Sequence, residues 1–293
     1  MIYRQILAYF SLLILLPLSA KAFPPASPAG GNYLVLDGVD DHAVLDFETF
    51  GRPLPNGTKE FTVEAWVYPT TPPDNGSTLL TILHQQGHML IVNDEFQPWL
   101  NEVANLQNIE PPKGDLILIM NAYIDGKLGL RIVFPIPLAP NQWHHIAYQS
   151  NGDQTTMIVN DFVWIRPLAD SLGHDIDPRD FLPKDFVLGR FGEIIQVLGS
   201  FRGSFTGYID EVRLSTEARY DVEKKGFMPD GKFKNDAKTA ALWHFDEPSR
   251  AREFSDASGN AYHLEGKNGA RTGIPLAVES QGKLTTTWAQ LKQ

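Results

Sequence analysis

Punctuation is the strongest constraint in this chain. About a dozen short apolar runs are each closed by Gly, Pro, Asn or Asp, and almost none repeats with helical spacing. "EFTVEAWVYP" (60–69) shows the pattern, with Phe61, Val63, Ala65 and Val67 alternating against Thr62, Glu64 and Trp66. Similar runs are "NYLVLDG", "HAVLDF", "STLLTIL", "HMLIVN", "DLILIMNAYI", "LGLRIVF", "QWHHIAYQS", "TTMIVN", "FVWIRP", "DFVLGR", "GYIDEVRL" and "AALWHF". "NGD" at 151–153 and "DGK" at 125–127 supply hairpin turns, and "NYLVLDG" is expected to pair with "HAVLDF" across a tight acidic turn. Such a pattern predicts an all-β antiparallel sandwich. Short helices are expected only in loops, at "STEARYDVEKK" from Ser215 and at "FQPWLNEVANLQNI" (96–109).

The first residues point outside the cell. "MIYRQ" carries one positive charge, an apolar run of 15 residues follows, and "AKA" at 20–22 places small residues at the cleavage positions. Residues 1–22 are therefore expected to be a secretory signal, followed by a flexible lead-in over 23–31, a sandwich over 32–275 and a tail over 276–293. The chain contains no cysteine, which excludes disulfides, thiolate metal sites and a cysteine nucleophile. Its formal net charge of −10 becomes −12 once Arg4 and Lys21 leave with the signal. No basic stripe remains to neutralise phosphates, so nucleic acid is not expected as a partner.

Five ordered segments carry a resemblance: "LVLDGVDDHAVL", "FTVEAWVYPT", "QWHHIAYQSNGDQTTMIVND", "GRFGE" with "FRGSFTGYIDEVRLSTEARY", and "ALWHFDE" with "FSDASGNAYHLEG". Over roughly residues 32–270 the chain resembles the bacterial laminin G-like domains of the concanavalin A-like lectin/glucanase superfamily. The resemblance implies an antiparallel jelly-roll β-sandwich. It also implies a structural calcium ion on the convex sheet, held by Asp210 of "YIDEV" and Asp37 of "LDGVDD", with Asp40 or Asp41 as additions. The residues themselves pose the same question. Strict alternation in "GYIDEVRL" puts Tyr208, Asp210, Val212 and Leu214 on one face, against Ile209, Glu211 and Arg213. Asp210 then sits among apolar side chains and needs compensation, from a cation or from hydrogen-bond donors. The Asp40–Asp41 pair alternatively only shapes a turn.

Catalysis is not expected. Retaining glucanases on this scaffold carry paired carboxylates as Glu-x-Asp-x-Glu, and no Glu here is followed by Asp two residues later. Asp46 and Glu48, and the Asp175, Asp177 and Asp180 group, stand outside clean strands, and Glu64 has no acid near it in sequence. His144 and His145 are adjacent, so a strand turns them to opposite faces and they cannot chelate one ion. Two stretches depart from the family pattern, 95–115 and 168–184. The first sets Trp99 in a polar setting beside Asn101 and Glu102, and these three are the candidate ligand contacts. The expectation is an exported, non-catalytic module that binds extracellular glycan or a surface protein. A glycan-cleaving enzyme on the same scaffold and an architectural surface protein are the alternatives.

Overall fold

The structure is a computed structural model that describes residues 24–55, 58–70, 79–84, 87–92, 116–122, 136–167, 185–190, 204–223 and 229–273. Two antiparallel sheets face each other, as the alternating runs require. In sheet A the strand order is β10 (Phe162–Pro167), β9 (Gln154–Val159), β8 (His144–Asn151), β3 (Glu60–Pro69), β12 (Thr206–Ser215), β1 (Tyr33–Asp37), β16 (Arg271–Gly273), with β13 (Thr239–Trp243) also paired to β12. In sheet B it is β14 (Glu253–Phe254), β15 (Leu264–Lys267), β2 (His42–Leu45), β11 (Phe186–Leu188), β4 (Leu79–His84), β5 (Gly87–Val92), β6 (Leu116–Ala122), β7 (Ile136–Leu138). The alternating positions of β3 divide as expected: Phe61, Val63, Ala65 and Val67 enter the core. There they join Leu34, Ile146, Met157 and Ile209 of sheet A and Ala43, Leu45, Phe186 and Leu188 of sheet B. Trp243 stacks on Phe186 at 5.4 Å, tying the sheets together.

Several local expectations need correction. β1 and β2 do not form a hairpin. β1 pairs with β12 and β16, whereas β2 pairs with β11 and β15, so the acidic turn between them carries the chain from one sheet to the other. No helix forms over 216–223. The backbone groups a helix would use internally are taken by the sheet: Thr62 Oγ1 donates to Glu217 O and accepts from Arg219 N, and the Gln149 amide brackets Tyr220 N and O. Instead one helical turn, α1 (Phe47–Phe50), is capped by Asp46, whose carboxylate accepts Thr49 N at 2.8 Å. The helix expected at 96–109 and the strand "LGLRIVF" lie outside the described residues.

The lead-in is part of the fold. Pro24 and Ser27 are buried, Trp143 Nε1 donates to Pro25 O at 2.9 Å, and Gly30 N closes a turn on Ser27 O at 2.9 Å. The lead-in thus contacts Trp143 at the entry to β8 without forming regular structure.

Candidate functional site

The outer face of sheet A, turned away from the core, carries the buried polar chemistry. Its composition follows from one irregularity. Asp210 pairs with Trp66 and Arg213 with Glu64, so β12 spends an extra residue at Glu211, where φ is +52°. A bulge of this kind shifts the alternation by one position. Ile209, Val212 and Leu214 consequently point into the core, and Tyr208, Asp210 and Arg213 point outward. Asp210 and Val212 do not share a face, contrary to the strict alternation. Nor is Glu211 remote from Asp210, because its charge helps raise the Asp210 pKa.

Asp210 has no exposed surface. Its Oδ1 accepts Glu211 N at 2.9 Å, and its Oδ2 has no hydrogen-bond partner. Burial, chiefly, pushes its pKa up to about 8, with the Glu211 and Asp246 charges adding to the rise; the Ser27 hydroxyl and Glu211 N–H act in the opposite direction. The carboxyl is short of positive partners and sits beneath the lead-in. Glu211 is better served: Oε2 accepts Phe233 N at 2.8 Å, and His244 Nδ1 lies 2.8 Å from Oε1.

Asp37 is elsewhere. It pairs with Thr206 at the end of the β1–β12 ladder, four residues along β12 from Asp210. At about 3.4 Å per residue that is about 14 Å, too far for both to hold one ion. Asp37 instead gathers with Asp40 and Asp41, one carboxylate oxygen of each lying within 4.8 Å of the others. Asp41 is buried and accepts Asp37 N at 3.2 Å, while Asp37 Oδ1 accepts Val39 N at 2.8 Å. Burial first, then the Asp37 charge, raises the Asp41 pKa. Asp41 and Asp37 therefore hold the sheet-crossing turn, and Asp40 joins it through its backbone carbonyl.

A second cluster was not legible as one in the sequence. Glu64 on β3 has no exposed surface, and its Oε1 accepts Arg213 Nε at 2.8 Å and lies 2.7 Å from Arg213 Nη2. Its Oε2 accepts the Tyr220 hydroxyl and faces His145 Nε2 at 3.2 Å. Burial alone would raise the Glu64 pKa, but the His145 hydrogen bond and the Arg213 charge override it and hold the carboxyl below its ordinary value. Arg213 continues to Lys234 O at 3.0 Å and lies 4.7 Å from the Phe233 ring centroid. These bonds fasten the segment around Tyr220 and Phe233 across the sheet, as does Arg219, which spans both Asp236 oxygens at 2.8 Å. A Glu–His–Tyr set can move protons, but here Glu64 and His145 are sealed from solvent, and the arrangement acts as a clamp. Register was the missing signal: Trp66 pairs with His145, and Glu64 with Arg213. His144 turns the other way, toward Ala139 O at 2.8 Å, so the two histidines diverge as expected.

Trp143 packs against Trp66, Phe233 and Leu242. Trp99, Asn101 and Glu102 lie outside the described residues, as do Asp175, Asp177 and Asp180. Their segments are placed only by connectivity: 93–115 joins β5 to β6 in sheet B, and 168–184 joins β10 in sheet A to β11 in sheet B.

No protein-family profile matches the chain, and no curated protein matches it. Solved structures do. A candidate carbohydrate-binding protein from Bacteroides ovatus is 19% identical with a TM-score of 0.50, covering 84% of this chain and 61% of its own length. The chain thus spans less than two thirds of that protein. A heptameric SAP-like pentraxin from Limulus polyphemus is 15% identical (TM-score 0.41; 66% of this chain, 79% of its own). The LG4-5 domains of the mouse laminin alpha1 chain are 10% identical (TM-score 0.36; 71% of this chain, 48% of their own). At these identities the likeness is one of fold. The chain is an antiparallel β-sandwich. Among the described residues no helix is long and apolar enough to cross a membrane.

Proposed function

We propose that this chain is an exported, non-catalytic module that binds extracellular glycan, with a structural calcium ion seated at Asp210. The reading rests on how its buried acids are used. Glu64 is consumed by Arg213, Tyr220 and His145, and Glu211 by Phe233 N and His244. Hydrolysis of a glycosidic bond needs two carboxyl groups flanking an open site. Among the described residues these acids sit under cover, on the outer face of sheet A. Specificity is assigned to the long insertions, with Trp99, Asn101 and Glu102 as ligand contacts.

The orphaned Asp210 Oδ2 supports the cation. A buried carboxylate oxygen without a donor fits a hard ion that takes oxygen ligands, and Asp210 with the Ser27 hydroxyl supplies two of them. Bound calcium would neutralise the carboxylate and fix the lead-in against the sheet. Asp37 belongs with Asp40 and Asp41 in this reading, as a separate acidic turn at the edge of the sandwich.

The test is a glycan array probed with residues 23–293, with and without chelator. Saturable binding to a restricted set of glycans, weakened by Trp99→Ala, is expected. Binding to no glycan at all rejects the module reading, and binding that survives both chelator and Trp99→Ala removes the assigned contacts.

A further inference from the structure

Next to Asp210 on the same outer face, four aromatic rings meet. Tyr208 pairs with Tyr68 across β12 and β3 and with Val35 of β1, and Trp143 stands at the entry to β8 beside Tyr68. Tyr33 contacts Tyr208 at 4.9 Å and Trp143 at 5.9 Å, while Tyr68 contacts Tyr208 at 5.7 Å and Trp143 at 5.4 Å. Tilted and edge-on contacts of this kind make the group one rigid body. Tyr33 and Tyr68 are buried in its base, and Tyr208 and Trp143 are half-buried at its surface.

The phenol oxygens set this cluster apart from ordinary packing. A buried tyrosine hydroxyl normally finds a partner. Among the described residues the hydroxyls of Tyr33, Tyr68 and Tyr208 make no hydrogen bond. They lie close enough that burial of Tyr33, with Tyr208 and Tyr68 beside it, lifts its pKa to about 12. Three protonated donors thus converge beside two half-open ring faces. Asp210 follows Tyr208 on this face two residues along β12, and Arg271 shares the Tyr208 row through Val35.

We propose that Tyr33, Tyr68, Tyr208 and Trp143 form a subsite for a neutral pyranose residue of the glycan. The C–H face of a sugar ring lies on Tyr208 and Trp143, and its hydroxyls meet the three phenols. The contacts on offer are ring faces and neutral hydroxyls, which match the C–H face and the hydroxyls of a neutral sugar. Trp143 is held in place for this role, because its Nε1–H donates to Pro25 O. The lead-in therefore orients one wall of the subsite.

This inference rests on the glycan-binding reading, and its test separates the two. Mature protein (23–293) is titrated with cellohexaose, laminarihexaose, xylohexaose, mannohexaose and, as the charged control, hexagalacturonate, following tryptophan fluorescence and calorimetric heat. Wild type is expected to bind a neutral hexasaccharide more tightly than hexagalacturonate. Tyr208→Ala should weaken that binding about tenfold, the usual scale of an aromatic contact. The Tyr68→Phe/Tyr208→Phe double variant keeps both rings, so it holds the fold if Tyr208→Ala does not, and should weaken binding at least threefold. If wild type binds a neutral hexasaccharide and both variants stay within twofold of it, the subsite is overturned and the module reading stands. Preference for hexagalacturonate also overturns the subsite. If wild type binds no hexasaccharide here and no glycan on the array, both readings fall.

Discussion

Replacing Glu64 separates a structural acid from a catalytic one. Glu64 has no exposed surface and faces the Arg213 guanidinium, whose side chain is only 10% exposed. Glu64→Gln keeps the shape, removes the charge, and points an amide toward the Tyr220 hydroxyl or Arg213. Breaking one half of a buried ion pair costs about 3–5 kcal/mol, because the remaining charge is left uncompensated. At about 2–4 °C per kcal/mol for a chain of this size, the midpoint should fall by roughly 6–20 °C at pH 7. The pH dependence has a definite sign. The Glu64 pKa is lowered on folding, so its contribution is present above the unfolded value and lost as pH falls through the folded one. The gap between wild type and Glu64→Gln should therefore narrow in acid. A Glu64→Leu/Arg213→Met double variant removes both charges and should recover most of the loss. Circular dichroism melts in excess chelator at pH 7 and below pH 4 read all three. A midpoint change under about 2 °C for Glu64→Gln, set against that expected shift, refutes the clamp.

Three further outcomes follow from the same face of the sheet. In chelator, wild type should lose stability as pH rises from about 4 to about 8, since the raised Asp210 pKa favours the protonated fold; Asp210→Asn should flatten that slope in urea titrations. Calcium should raise the wild-type midpoint at pH 8 and leave Asp210→Asn unmoved, and an unchanged wild-type midpoint removes the ion from the account. Gly207→Ala should destabilise by roughly 1–3 kcal/mol, because φ is +146° there and a Cβ would strike the Tyr68 carbonyl; an unchanged urea midpoint contradicts the close approach of β12 to β3.

The sandwich was legible because its apolar runs are short, closed by turn residues and, in β3, cleanly alternating. The shortest elements were not. β14, β15 and β16 have two to four residues with little apolar content, and they form because β2 and β1 offer edges to pair with. The site was half legible. Asp210 stood out as an acid in a strand, and it is indeed buried and short of partners. Its joining with Asp37 failed because the resemblance that joined them fixes no distance along the β1–β12 ladder. The bulge at Glu211 was invisible, since a glutamate carries no sign of a positive φ. The Glu64 clamp needed the register of three strands and a loop, which no local pattern encodes.

Glycan recognition without cleavage is the central claim, and one sample can test it. Mature protein is held with its best array glycan at saturating concentration, bound fraction is followed by titration, and the glycan is recovered and sized by mass spectrometry. The account predicts saturable binding with the glycan recovered intact after prolonged incubation. Accumulating shorter fragments, absent in a denatured control, would contradict it.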